Sequence, residues 1–222
     1  MKNPIQKLFI MLMLLTAASA AQATTNATST TVTVYKAYFS ASPLCTAPFQ
    51  VADFGSTGRA VDMVAGGSFG SVTTVAAGTY ECVIMKMSDQ VTFVPEATDG
   101  ACTAGSSTTI DVCKDYGSGA PTTQDPETGT TSTCTGSIST NSTDTVFLYL
   151  STSATTTSGA STNNPFLPPT SSDFAATAFK MNGSVVFSST TTGTFVFNTT
   201  GKIDGVTTGS CDMNPPDFGF RL

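Results

Sequence analysis

Histidine and tryptophan are both missing from the 222-residue chain. Without an imidazole there is no Ser-His-Asp or Cys-His nucleophile system and none of the usual zinc hydrolase centres. None of the lysines stands in a Ser-x-x-Lys arrangement either. A glycoside-cleaving carboxylate pair needs only two acids, and fifteen are present. Most of them fall in predicted loops, however, and the indole on which sugars commonly stack is absent. The sequence therefore predicts a protein that is not an enzyme and uses no cofactor.

Charge is scarce as well. Only 11% of residues are charged, against roughly 25% in ordinary soluble domains, and threonine and serine take their place. Long apolar runs are also lacking. The longest covers residues 8–15, well short of the roughly 20 apolar residues of a spanning helix. That run follows Lys2 and Lys7 and precedes the small-residue tract 17–23, the pattern of a secretory signal peptide over residues 1–23. Cleavage is expected after Ala23, with Ala20 the second choice. No membrane span is expected in the remaining ~199 residues, which are placed outside the cytoplasm: extracellular, at the cell surface or in the periplasm. Cleavage leaves seven basic against fifteen acidic residues, a balance that argues against a polyanion such as nucleic acid as partner, and none is expected.

Six cysteines are present, Cys45, Cys82, Cys102, Cys113, Cys134 and Cys211. An even number in an exported chain, with no Cys-x-x-Cys pair and no histidine, reads as three disulfides rather than a metal site. Fifteen pairings are possible. The arrangement expected here joins Cys102 to Cys113 as a local loop, Cys45 to Cys82, and Cys134 to Cys211.

Short runs of β-branched and aromatic residues, each ended by glycine or proline, recur along the mature chain, and no segment sustains the apolar spacing of a helix. Strands are predicted at residues 31–39, 49–54, 59–64, 71–76, 78–94, 145–150, 174–181, 184–189, 193–198 and 202–207, with a last one through Phe218, Phe220 and Leu222. The organising stretch is residues 78–94, which offers apolar groups on both faces: Tyr80, Cys82 and Ile84 on one, Val83, Met85 and Met87 on the other. A bulge is expected at Ser88, Asp89 and Gln90. Asn182-Gly183 predicts a hairpin, because both residues tolerate positive φ. Residues 95–144 are poor in apolar groups and contain three of the cysteines, so they read as a stapled loop excursion with one weak strand near residues 108–112. The fold class expected is all-β, a disulfide-stapled antiparallel β-sandwich over residues 31–222, preceded by a flexible leader at 24–30.

Two site hypotheses follow. A leader and a β-prone strand at the mature N-terminus suit a subunit that adds a strand to its neighbour's sheet. The assembly strand would be carried by Val32, Val34, Tyr35, Tyr38 and Phe39, and the partner would be a second copy of the chain. The opposing expectation is that this strand pairs within its own domain. Separately, Asp99, Asp111, Asp115, Asp125 and Glu127 are concentrated in the excursion, where several carboxylates suit calcium, although no EF-hand spacing is present.

The run Ala77-Gly78-Thr79-Tyr80-Glu81-Cys82-Val83-Ile84-Met85 resembles a strand opening found in bacterial secreted immunoglobulin-like or transthyretin-like sandwich domains of uncharacterised function. The first strand, Val32-Thr33-Val34-Tyr35-Lys36-Ala37, is similar to the opening strand of such domains. The resemblance covers residues 31–95 and implies a sandwich and export. It carries no catalytic residue. The function expected is that of an exported structural protein of the cell surface or matrix, a filament or pilus-like subunit or an adhesin. The alternative is a monomeric secreted binding module for carbohydrate or protein.

Overall fold

The computed structural model describes residues 24–66, 75–113, 121–134, 144–154, 164–170, 177–188, 194–205 and 209–221. The expected signal peptide and most of the strand expected at 71–76 lie outside these residues. Fifteen strands are formed among the described residues. In chain order they begin with β1 (Ala27–Ser40), β2 (Phe49–Asp53), β3 (Arg59–Asp62), β4 (Gly78–Tyr80) and β5 (Cys82–Pro95). The middle of the chain gives β6 (Thr108–Asp111), β7 (Thr122–Gln124), β8 (Thr131–Thr133), β9 (Thr145–Ser151) and β10 (Phe179–Lys180). The last are β11 (Val185–Phe187), β12 (Thr194–Asn198), β13 (Ile203–Asp204), β14 (Asp212–Met213) and β15 (Asp217–Arg221). Among the described residues there is no helix, so none is long and apolar enough to cross a membrane.

Seven strands make one sheet in the order β10-β9-β5-β1-β2, with β3 beside the first half of β1 and β6 beside the second half of β5. Its spine is the antiparallel pair β1 and β5, each 14 residues long. The bulge falls where the sequence predicts it: Val32 faces Val91 while Val34 faces Met87, so β5 holds two extra residues around Ser88, Asp89 and Gln90. Apolar groups cover both faces of β5. Val83, Met85, Met87 and Val91 join the main core, and Cys82 and Ile84 join a second cluster with Tyr38, Cys45, Phe147 and Tyr149. Tyr80 departs from the expected alternation and packs in the main core. The chain leaves the large sheet at Glu81, so β4 pairs with β11 and its side chains follow that pairing.

Asn182-Gly183 makes a turn but not a hairpin. Gly183 has φ of 98° and its N–H donates to the Met181 carbonyl, yet β10 runs parallel to β9 while β11 pairs with β4. The turn carries the chain from one sheet to another. Local turn chemistry sets the bend, and the long-range partners of Phe179 and of Val185 and Phe187, all buried, decide where each arm goes. The C-terminal strand forms over Asp217–Arg221 and pairs with β12, bringing Phe218 against Phe197 and Phe179, while Leu222 lies outside the described residues.

Two further expectations are corrected. Residues 24–30 are not a free leader: β1 starts at Ala27, Thr25 exchanges both backbone hydrogen bonds with Ile203, and the Asn26 side chain bonds Glu96 and the Gly201 N–H. Their polar side chains are used for specific hydrogen bonds, which composition does not reveal. The disulfides are Cys45–Cys82, as expected, but then Cys102–Cys211 and Cys113–Cys134. The extended strand β6, held against β5, lies between Cys102 and Cys113 and keeps that short loop open. Cys102 instead sits in a tight turn against the 203–205 segment, where Ala101 N–H donates to the Gly205 carbonyl. A Cβ at Gly205 would overlap the backbone of Asp99, Ala101 and Cys102, so only glycine permits this approach.

The described parts of the excursion are more ordered than their composition suggests. Besides β6, they supply the hairpin β7–β8, which lies along β9: Thr123 Oγ1 accepts from Phe147 N–H, and the Tyr149 hydroxyl donates to the Gln124 carbonyl.

Candidate functional site

Val32, Val34, Tyr38 and Phe39 of the expected assembly strand are all buried, and Tyr35 is partly buried. The strand is hydrogen-bonded on both edges, to β5 on one and to β3 and β2 on the other. Alternate residues of it feed opposite faces. Val32, Val34 and Phe39 belong to the main core, and Tyr38 to the cluster covered by the excursion.

The Tyr38 and Tyr149 hydroxyls share that covered face. Burial pushes both well above the ordinary tyrosine value; the Glu127 and Asp125 carboxylates add to the rise at Tyr38, and Asp125 adds to it at Tyr149. The unfolded chain loses these protons near pH 10, while the folded chain keeps them. Stability from these two groups is therefore complete below about pH 10 and is lost as pH rises above it. Alkaline unfolding followed by near-ultraviolet circular dichroism should begin above about pH 10, together with tyrosinate absorbance. Early ionisation of all tyrosines in the intact fold would contradict it.

The acids proposed for calcium are not gathered. Asp125 Oδ1 accepts from Glu127 N–H and Thr128 N–H in a turn, Glu127 pairs with Lys36 at 3.3 Å, and Asp115 lies outside the described residues. Asp99 and Asp111 are buried, each with an Oδ2 that has no hydrogen-bond partner. Among the described residues the one set of three potential metal ligands is Asp89, Cys113 and Cys134, and its two sulfurs are already bonded to each other.

What the sequence did not announce is a cavity of about 420 Å³, within the size range of small-molecule sites. Its floor is the main-core face of the large sheet, Met87 and Val91 on β5 and Leu148 on β9. Phe166, Phe179, Phe197 and Phe218 supply aromatic walls, and the segment from Ser210 to Pro216 closes one side. The wall is mainly apolar, with a few polar groups. Asp111, at the end of β6, is 1% exposed. Its Oδ1 accepts from Cys113 N–H at 2.8 Å, and its Oδ2 is the buried atom left without a partner. Asp212 also lines the cavity and accepts from the Ser210 hydroxyl at 2.7 Å. Among the described residues no lysine or arginine lines it. The sequence signal that points here is slight: an acid two residues before a cysteine, at the end of a weak strand.

The arrangement defines an all-β, disulfide-bridged chain of the kind found in oxidising, non-cytoplasmic compartments. No protein-family model, no curated protein and no solved structure matches it.

Proposed function

We propose that the protein is an exported β-sandwich binding module that works as a closed monomer at the cell surface, in the periplasm or in the medium. The observation that carries this reading is the place of β1, paired along both edges in the middle of the large sheet and continued by the Thr25–Ile203 exchange. Donating that strand to a neighbour would first require the molecule's own sheet to open. The segments bearing Phe187, Phe195 and Phe218, which pack on the main-core face, support a second layer and hence the sandwich. The low charge and the lack of histidine support binding rather than catalysis. The cavity gives the binding reading a place.

Light scattering on the mature protein recovered from the exported fraction tests this. A monomer with all three disulfides oxidised is the expected result. Polymers in that fraction, built through residues 27–40, would overturn it and restore the filament subunit.

A further inference from the structure

We propose that the cavity beside Asp111 binds a small organic amine, an apolar body with one protonated nitrogen. This rests on the reading of the protein as a binding module. The apolar walls favour a desolvated hydrocarbon or aromatic body. The Phe166, Phe179, Phe197 and Phe218 rings can also face a cation. Among the described residues the two ionisable groups on the wall, Asp111 and Asp212, are both acids.

Asp111 makes the site more than an apolar gap. Its carboxyl is held in place by Cys113 N–H, next to a cysteine fixed by the Cys113–Cys134 bridge and at the end of a strand paired to β5. Leaving its second oxygen unpartnered in a buried site is unfavourable. An ammonium group placed at that oxygen would remove the penalty and form a charge-assisted hydrogen bond. A carboxylate or phosphate ligand would meet two acids and, among the described residues, no compensating cation, so anions are disfavoured. Asp212, paired with Ser210 on the segment that closes one side, adds the second negative wall.

The test uses the full mature protein and three probes of similar shape: 3-phenylpropylamine, 3-phenylpropanol and 3-phenylpropanoate, titrated calorimetrically near neutral pH. The amine is expected to bind, the alcohol more weakly and the carboxylate not measurably. Asp111→Asn keeps an oxygen for Cys113 N–H and should lower amine affinity about tenfold or more, with alcohol affinity nearly unchanged. The same variant without ligand should melt no lower than the parent, because it removes a buried unpaired charge. Asp212→Asn gives a second reading at a less buried position and should weaken the amine by a smaller factor. Equal binding of amine and alcohol, or an Asp111→Asn variant that binds the amine undiminished, would overturn the ligand class while leaving a ligand-binding module standing. Absence of binding by any probe to a monomeric protein would overturn this site. Polymerisation, read by light scattering on the same samples, would instead overturn the function on which it rests.

Discussion

A mature chain lacking residues 27–40 should have no folded monomeric state. The missing strand is the inner partner of β5, β3 and β2, so its loss leaves two edge strands without a sheet and one edge of β5 unpaired. Val32, Val34, Tyr38 and Phe39 are each at most 1% exposed, and burial of four such side chains contributes on the order of 10 kcal/mol. That is comparable with the entire stability of a domain, about 5–15 kcal/mol. Near-ultraviolet circular dichroism and resistance to protease should both be lost. The opposite outcome is informative: a truncated protein that stays folded and captures a synthetic peptide of residues 24–40 would show that the strand is exchangeable.

The second large effect is expected from the Cys102–Cys211 bridge. It joins residues 109 apart, and the chain-entropy treatment assigns a loop of that length about 4–5 kcal/mol. The 21-residue separation of Cys113 and Cys134 gives roughly 3 kcal/mol on the same treatment. The long bridge also lies in a small cluster with Ala27, Phe93 and Ile203 and precedes Asp212 and Met213, which line the cavity. Replacing Cys102 and Cys211 together by serine should therefore lower the urea midpoint more than replacing Cys113 and Cys134. It should also weaken binding at the cavity. A larger loss from the short bridge would mean that the C-terminal segment is held by its strand pairings rather than by sulfur.

The parts of this fold that were readable in advance are those set by side-chain period. The two-faced alternation from Cys82 to Met87, the interruption at Ser88 to Gln90 and the terminal strand through Phe218 all follow from apolar spacing two residues apart. What was not readable depended on which distant segment each strand meets. Asn182-Gly183 bends the chain as its chemistry requires, yet Phe179 and Val185 pair with β9 and β4 rather than with one another's strands. Thr25 and Asn26 look like leader and serve as hydrogen-bonded pins. The cavity was hidden for the same reason, because Asp111, Leu148 and Phe197 come from three separate strands or strand ends. No local pattern marks a buried acid whose neighbours are contributed from so far along the chain.

The nesting of Cys113–Cys134 within Cys102–Cys211 also bears on the order in which the chain can be completed. For a polypeptide threaded across a membrane N-terminus first, Cys45 meets Cys82 as the next thiol to emerge, and that pair is native. Cys102 then meets Cys113 and Cys134 well before Cys211 appears. Oxidation in order of arrival would join Cys102 to Cys113, a short ring that must be broken again by thiolate exchange before β6 can lie along β5. The first strand to arrive likewise waits for Ile203. A chain that oxidised in order of arrival would thus need a supply of free thiol as well as of oxidant to reach these pairings.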